Sequence, residues 1–163
     1  MGTITTGLSN AFKLELLKGN HDFDSDTMRV ALIKENPTAS FGPTTLSYSE
    51  LGTDQASGSG YDSVYDSLST GATATLSTTD ASGNATVYPQ MASDGTTAIL
   101  DFNDAVFQSV TTSADGCILY NPQFTTNNII AIFDFGGTVS ATSGDFTVQF
   151  PAPGASTSIL RLA

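Results

Sequence analysis

The sequence predicts a mainly β, single-domain protein with a β-sandwich or jelly-roll-like fold and one short N-terminal helix. Its 163 residues include 24 Thr, 19 Ser and 15 Gly, whereas only 13% are charged. Thr favours the pleated surface of a sheet, and Ser and Gly favour turns. A chain of this length can bury roughly 68–70% of the surface that it exposes when unfolded, so one domain without disulfides is the simplest expectation.

One helix is predicted near the N-terminus, over residues 9–18. Ser9 or Asn10 can cap its start, and Gly19-Asn20 can end it in a left-handed turn. Apolar residues recur at i, i+4 and i+8 and form one narrow face: Leu8, Phe12 and Leu16. Residues 1–7 are expected to be a flexible N-terminal arm, and residues 8–163 to form the domain.

The middle of the chain predicts fewer buried elements. A first strand is expected over Thr27–Lys34, and residues 38–60 then form a long loop with a short edge strand near Leu46–Tyr48. Ser57–Gly60 (SGSG) is expected to be a flexible joint. Residues 61–97 are poor in large apolar side chains, which favours a protruding polar ribbon with a hairpin turn at Asp80–Asn84.

The last third of the chain has the clearest strand patterns. Continuous apolar runs, typical of strands buried on both faces, lie at 117–120 and 129–135, whereas 145–150 alternates like a half-buried strand. Two further core segments precede them, at 98–102 and 105–110. Turn residues are expected to separate the runs: Gly136-Gly137, Ser143-Gly144 and Pro151–Gly154. In total, about eight to ten short strands are predicted.

The charge balance argues against two classes of partner. The formal net charge is −11, from 16 acidic and only 5 basic residues. Nucleic-acid affinity depends on Lys and Arg that neutralise phosphates, so we expect no nucleic-acid partner. The same negative charge disfavours anionic membrane surfaces. No signal-peptide pattern precedes the helix and the apolar runs are too short to span a bilayer, so synthesis in the cytoplasm is expected, with the lone Cys117 a buried, unreactive thiol.

Residues 21–26 (HDFDSD) are the first candidate for chemistry. Asp22, Asp24 and Asp26 have the spacing of the start of a calcium loop, but Thr27 stands where that loop needs Gly and Ile33 where it needs Glu. A solvated turn is therefore the favoured interpretation, with a weak cation site as the alternative. His21 is the only histidine, and the chain contains no nucleophile-elbow motif with which it could form a catalytic triad. His21 is therefore expected to be a surface or capping residue.

Paired carboxylates are the second candidate. Asp62 with Asp66, and Asp101 with Asp104, could act as acid and base on a glycoside, but 13 Asp residues produce such pairs by chance, and no Trp is present to stack on a sugar. Gly58-Ser59-Gly60 lacks the third glycine of a dinucleotide-binding loop. The sequence thus predicts neither an enzyme nor a cofactor site.

Two stretches at the ends of the chain carry a resemblance to a known family. Residues 9–23 (SNAFKLELLKGNHDF) with 26–33 (DTMRVALI), and residues 116–163 with FDFGG, GDFTVQFPAPGA and ILRLA, resemble virion structural proteins of tailed bacteriophages, namely capsid decoration (cement) proteins. The resemblance covers roughly half of the chain, and its motifs are patterns of fold rather than of reaction. Departures from the pattern are the long polar segment at 61–97 and Asp115, where a basic residue is expected.

The resemblance implies a subunit on the outer surface of the phage capsid. Its partners would be the major capsid protein and further copies of itself, as a homotrimer, and no catalytic or ligand residues carry over. A tail, collar or fibre-associated protein with host-surface binding is the alternative function, and a small glycan hydrolase is a third. Phe41, Tyr61 and Tyr65 are candidates for interface contacts, although core packing is the favoured interpretation for the two tyrosines.

Overall fold

The computed structural model describes residues 1–26, 28–61, 74–75, 90–102, 104–126 and 128–163. These residues form one α-helix, α1 (Asn10–Leu17), one 3₁₀ helix (Tyr48–Asp54) and eight strands. The strands are β1 (Gly7–Leu8), β2 (Arg29–Lys34), β3 (Ala74–Thr75), β4 (Gln90–Asp94), β5 (Thr97–Asp101), β6 (Ala105–Tyr120), β7 (Ile129–Val148) and β8 (Leu160–Leu162). The predicted mainly β fold with one short N-terminal α-helix is confirmed.

The strands form two antiparallel sheets. The larger has the order β1-β7-β6-β2-β3, and the smaller has the order β4-β5-β8. Leu100 and Phe102, at the end of β5, belong to the same apolar cluster as Val30 and Leu32 of β2, and Phe12 of α1 packs into that cluster as well. The two sheets therefore share one core, as the sandwich prediction requires.

The helix begins and ends where the sequence predicts. The Ser9 hydroxyl accepts a hydrogen bond from the N–H of Ala11 at 3.2 Å, and Gly19 follows the helix with φ +71°. Phe12 is fully buried, whereas Leu14 and Leu17 are exposed. This short helix thus covers the core with a narrow face and depends on that contact for its stability.

The hairpin of β6 and β7 is longer than the sequence predicts. Its ladder runs from Ala105–Val148 to Tyr120–Ile129, so the expected breaks at Gly136-Gly137 and Ser143-Gly144 lie inside one strand. The prediction of several short strands here is wrong. Gly136, Gly137 and Ser143 have positive φ angles and lie in bulges, where β7 has extra residues relative to β6. The pairing of the two strands continues beyond these bulges.

Two of these bulges are held by a side chain of the opposite strand. The Asp145 carboxylate accepts a hydrogen bond from the N–H of Ser109 at 3.0 Å, where Ser109 has φ +53°. The Thr111 hydroxyl accepts one from the N–H of Ser143 at 2.9 Å. Each bulge leaves a backbone N–H outside the ladder, and these acceptors satisfy it.

The largest bulge is at the centre of the hairpin. Between the pairs Ala114–Val139 and Gly116–Asp134, only Asp115 of β6 faces residues 135–138 of β7. The Asp115 carboxylate accepts hydrogen bonds from the Thr138 hydroxyl at 2.5 Å and from the N–H of Asn36 at 2.8 Å. A basic residue at this position could not accept either bond.

The second face of the larger sheet is also covered. Residues 36–56 lie over it and form a second apolar cluster with the sheet. Its members are Ala31, Ile33, Phe41, Tyr48, Leu51, Ile118, Tyr120, Ile129 and Ile132. The apolar runs at 117–120 and 129–132 are therefore buried on both faces. The prediction that this burial continues to Phe135 is wrong, because Asp134 is exposed and Phe133 and Phe135 are half-buried.

The first residues are not the flexible arm that the sequence suggests. The N–H of Phe41 donates to the carbonyl of Thr3, and the N–H of Thr5 donates to the carbonyl of Phe41, both at 2.8 Å. Ile4 packs against the second cluster, and β1 pairs with β7. Residues 3–6 (TITT) are all β-branched, which favours an extended backbone, and this segment lies along the edge of the fold.

The loop at 38–60 contains a 3₁₀ helix where an edge strand was predicted near Leu46–Tyr48. The Glu50 carboxylate accepts hydrogen bonds from the N–H groups of Leu46 and Ser47, both at 2.8 Å. Ser47 and Glu50 have the Ser-x-x-Glu spacing of a capping box, so a helical turn starts here.

The segment Ser57–Gly60 is packed against β6, so the prediction of a flexible joint is wrong. The N–H of Thr111 donates to the carbonyl of Ser59 at 2.8 Å, and the Thr112 hydroxyl donates to the carbonyl of Ser57 at 3.0 Å. A Cβ atom on Gly58 would lie 1.9 Å from the carbonyl oxygen of Thr111. Glycine is needed here for close approach of two backbones.

The predicted polar ribbon at 61–97 is described only in part. β4 and β5 form a hairpin that turns at Gly95, with φ +63°. The turn predicted at Asp80–Asn84 lies outside the described residues.

Replacing Gly58 with Ala should destabilise the protein by about 3 kcal/mol, because the new Cβ meets the Thr111 carbonyl and the backbone has φ +149°. Gly95→Ala is the matched control, since Gly95 also has positive φ but has no atom within 4 Å of its Cβ position. The control should lose only about 1 kcal/mol. Urea denaturation measures both values, and equal losses would contradict the packing of this segment on β6.

Asp54 links the loop to β2 and should make stability pH-dependent. It lies 2.8 Å from the Lys34 ammonium and accepts hydrogen bonds from the N–H groups of Thr38 and Ala39. Burial by itself would raise the pKa of Asp54, but the hydrogen bonds from Lys34, Ala39 and Thr38 outweigh it and lower the pKa to about 2.

Because the folded pKa is depressed, this carboxylate stabilises the fold above pH 4 and loses its contribution as the pH falls towards 2. Asp54→Asn should therefore cost about 2 kcal/mol at pH 7 and progressively less below pH 4. Denaturation of both proteins across this range checks the prediction, and a pH-independent difference would contradict it.

Candidate interaction surface

The residues predicted for interface contacts do not form a surface. Phe41 and Tyr61 are buried, and Tyr65 lies outside the described residues. The Tyr61 ring stacks on Phe107 with centroids 5.4 Å apart, and its hydroxyl accepts a hydrogen bond from the N–H of Leu32 at 3.1 Å. Burial raises the pKa of Tyr61, which keeps the phenol neutral. Phe41 and Tyr61 therefore stabilise the core.

The acidic segment at 21–26 is a turn whose carboxylates bind the turn itself. Asp22 accepts hydrogen bonds from the N–H of Asp24 at 3.0 Å and from the Ser25 hydroxyl at 2.7 Å, which lowers the pKa of Asp22. Asp26 accepts one from the N–H of Asp22 at 3.1 Å. In the described part of the chain, no group of three His, Cys, Asp or Glu residues could hold a metal ion.

His21 is buried, contrary to the expectation of a surface residue. Its ring packs against three phenylalanines, with centroids 5.3 Å from Phe12, 6.1 Å from Phe23 and 5.2 Å from Phe124. Nδ1 lies 3.3 Å from the side-chain amide nitrogen of Asn121, and Nε2 has no hydrogen-bond partner among the described residues. The short-range pattern HDFDSD does not predict this burial, because two of the three rings, Phe12 and Phe124, come from other segments.

Asp101 and Asp104 have different environments. Asp101 is fully buried: one oxygen accepts the N–H of Phe102 at 2.8 Å, and Oδ2 has no partner in the described residues. Burial raises the pKa of Asp101, although hydrogen bonds from Phe102 and Ser158 oppose the shift. Asp104 accepts the N–H of Phe150 at 2.9 Å. The other predicted pair, Asp62 and Asp66, lies outside the described residues.

Carboxylates throughout the described residues act as acceptors for backbone N–H groups. Asp115 and Asp145 hold bulges, Asp54 and Glu50 hold the covering loop, and Asp134 accepts the N–H of Gly136 at 2.9 Å. The full set is Asp22, Asp26, Glu50, Asp54, Asp94, Asp101, Asp104, Asp115, Asp134 and Asp145. Their common role is to fix turns and bulges where the ladder cannot bind an N–H.

The middle of the β6–β7 hairpin presents a surface of hydroxyl groups. We call it the hydroxyl face, and it consists of Thr111, Ser113, Ser140 and Thr142. Ser113 and Ser140 are cross-strand partners with their oxygens 2.8 Å apart. Beside these residues lies a shallow, open groove of about 360 Å³, whose lining is completed by Lys34, Glu35, Ser57, Thr112 and Ala141. Uncharged hydroxyls lose less hydration energy on burial than carboxylates, which suits a surface that contacts a partner.

The outer edge of β7 borders this face. β1 pairs only with Ala131 and Ile132, so from Phe133 to Val148 the outer edge has no strand partner among the described residues. Bulges at Gly136-Gly137 and Ser143 interrupt this edge, and such irregularities hinder uncontrolled strand addition.

Exposed apolar side chains are few and scattered in the described residues. Leu14 and Leu17 lie on α1 and are 53% and 87% exposed, and Met91 and Leu162 lie on the smaller sheet at 53% and 56%. Separate exposed apolar residues are normal for a soluble domain and indicate no large apolar patch.

The hydroxyl face has a signal in the sequence. Residues 138–142 (TVSAT) alternate Ser or Thr with small apolar residues at the period of a strand, and residues 109–113 (SVTTS) are rich in Ser and Thr. Treating Gly136-Gly137 as a break between strands concealed that these two segments face each other.

The negative charge of the buried Asp101 should be dispensable for folding. Because its pKa is raised, the ionised form destabilises the fold as the pH rises above 3.8. Asp101→Asn keeps an acceptor for the Phe102 N–H, and we expect it to be at least as stable as the original protein at pH 7, with the difference vanishing near pH 3. Thermal unfolding at the two pH values measures this, with the half-buried Asp104, changed to Asn, as the control. A large loss of stability at pH 7 would show that the Asp101 charge is bound by a group that stabilises it.

Comparison with protein-family models, curated proteins and solved structures found no match to this chain. Among the described residues, no helix is long and apolar enough to cross a membrane.

Proposed function

We propose that the protein is a structural virion protein that decorates the outside of a tailed-bacteriophage head and stabilises contacts between major capsid subunits, as a homotrimer. The observation that carries the proposal is the use of ten carboxylates as acceptors for backbone N–H groups. Side chains that elsewhere supply acid–base chemistry here fix the shape of the chain. A protein that must hold a fixed surface in many copies needs such a rigid frame.

The position of the family-like segments supports the proposal. They lie more than 80 residues apart in sequence, yet Arg29–Ile33 of β2 pair with Gly116–Tyr120 of β6, and α1 packs beside β7. The segments that resemble decoration proteins thus form one continuous body. In the described residues, the segment that departs from the pattern, 61–97, pairs with the larger sheet through β3 and packs Tyr61 against Phe107 of β6.

The charge supports an outer location. A chain with a net charge of −11 would be repelled by densely packed DNA inside a head, whereas outside the head the same charge favours solubility before assembly.

We place the contact with the capsid at the hydroxyl face. Its four side chains are uncharged and lie on the paired strands β6 and β7, so a partner that covers them buries no carboxylate, whereas one that also enters the groove contacts Lys34 and Glu35. Weak contacts of this kind reach high total strength when an oligomer repeats them.

Cryo-electron microscopy of particles from the phage that encodes this chain tests the location. Density for hundreds of copies on the outer surface of the head is expected. Density at the tail or fibres, in a handful to a few dozen copies, would instead support the tail-associated alternative, and absence from the particle would overturn both.

A pair of matched variants tests the contact surface. Thr142→Arg places a charge on the hydroxyl face, and Thr125→Arg places the same charge on the exposed turn after β6. We expect the first to weaken binding to undecorated heads at least tenfold, equivalent to about 1.4 kcal/mol, and the second to bind normally. Equal binding of both variants in a sedimentation assay would remove the hydroxyl face from the contact.

A further inference from the structure

His21 joins two segments that are distant in sequence. It lies in residues 20–26, which connect α1 to β2, and it contacts residues 121–126, the turn after β6. The side chain is only 7% exposed and lies among Phe12, Phe23 and Phe124. His21 is not part of the hydroxyl face or of the groove beside it, so its burial has a separate explanation.

The hydrogen bonds of Asn121 determine which ring nitrogen of His21 carries the proton. The Asn121 side-chain oxygen accepts the N–H of Gln123 at 2.9 Å, and its NH₂ group donates to the Asp26 carboxylate at 2.6 Å. These two bonds fix the orientation of the amide, so its NH₂ group faces Nδ1 of His21 at 3.3 Å. Nδ1 must therefore be the acceptor, and the proton of the neutral ring is on Nε2.

We propose that His21 and Asn121 form a pH-sensitive latch between residues 20–26 and the turn at 121–126. Uptake of a proton would place an N–H on Nδ1, directly opposite the Asn121 NH₂ group. Rotation of the amide cannot relieve this contact, because its oxygen would then face the Asp26 carboxylate and the Gln123 N–H would lose its acceptor. Protonation of His21 therefore requires the two segments to separate.

Charged groups near His21 oppose the effect of its burial. Burial lowers the pKa of His21, while the charges of Asp26 and Glu15 act in the opposite direction and are weaker. Glu15 is itself paired with Lys18 on α1 at 2.9 Å. Asp22 and Asp24 bind donors of their own turn or face solvent, and the sequence of the turn at 121–128 contains no titratable side chain.

The latch should be closed at neutral pH and should open in acid. The closed latch holds a neutral histidine with a pKa below that of a free imidazole, so it is stable above about pH 6.5 and opens as the pH falls. Since opening takes up one proton, the equilibrium constant for opening should rise about tenfold per pH unit below 6.5, until the pKa of the closed state is reached.

The experiment uses the fact that His21 is the only histidine, so its ring gives one unambiguous set of NMR signals. We expect its titration midpoint to lie below 6.5, and the Asn121 side-chain amide signals to shift with the same midpoint. Hydrogen exchange of the Gln123 amide, corrected for its intrinsic pH dependence, should accelerate about tenfold per unit in the same range. A midpoint at the free-histidine value, with no response from Asn121 or Gln123, would overturn the proposal.

Two variants separate the latch from general acid sensitivity. His21→Phe keeps an aromatic ring but cannot take up a proton, so exchange at Gln123 should lose its acceleration between pH 6.5 and 5. Asp26→Asn removes a charge that favours the imidazolium, so it should shift the His21 midpoint further downwards. Unchanged acceleration in His21→Phe would assign the effect to other groups and contradict the latch, and the titration of the original protein decides the matter if this variant does not fold.

Discussion

The pairing of β6 with β7 is the constraint on which the rest of the structure depends. At one end of this hairpin, residues 117–120 and 129–132 are buried on both faces, and at the other end Phe107 and Phe146 reach the core from one face only. A straight pair of strands could not serve both environments. Bulges bend a strand, and those in β7 lie between these two ends of the hairpin. Asp145, Thr111 and Asp115 accept hydrogen bonds from Ser109, Ser143 and Thr138 at the bulges.

Polar side chains in this protein hold several short segments in place through hydrogen bonds. The two-residue strand β1, the 3₁₀ helix and the packed segment at 57–60 are short, and each depends on specific acceptors or on glycine for its position. This explains how a chain with so much Ser, Thr and Gly can hold one conformation over its described residues. It also explains the high count of aspartates without requiring a catalytic role for them.

Local signals in the sequence predicted local structure well. Ser9 and Gly19 defined the ends of α1, and the continuous apolar runs identified the strands that are buried on both faces. Errors arose where long-range pairing changes the meaning of a residue: Gly136-Gly137 ends a strand in most local contexts but forms a bulge when β6 supplies the opposite ladder. The burial of His21, Phe41 and Tyr61 depends on contacts between segments 29 to 100 residues apart, such as Tyr61 with Leu32 and His21 with Asn121, and no short pattern contains that information.

Cys117 lies near the C-terminal end of β6, fully buried between β2 and β7, and it is the only thiol in the chain. Burial raises its pKa, so the native protein contains almost no thiolate to react with an alkylating reagent. Modification of this atom must wait until the central sheet opens. The rate of alkylation therefore reports on opening of the central sheet, and the chain carries its own chemical probe inside that sheet.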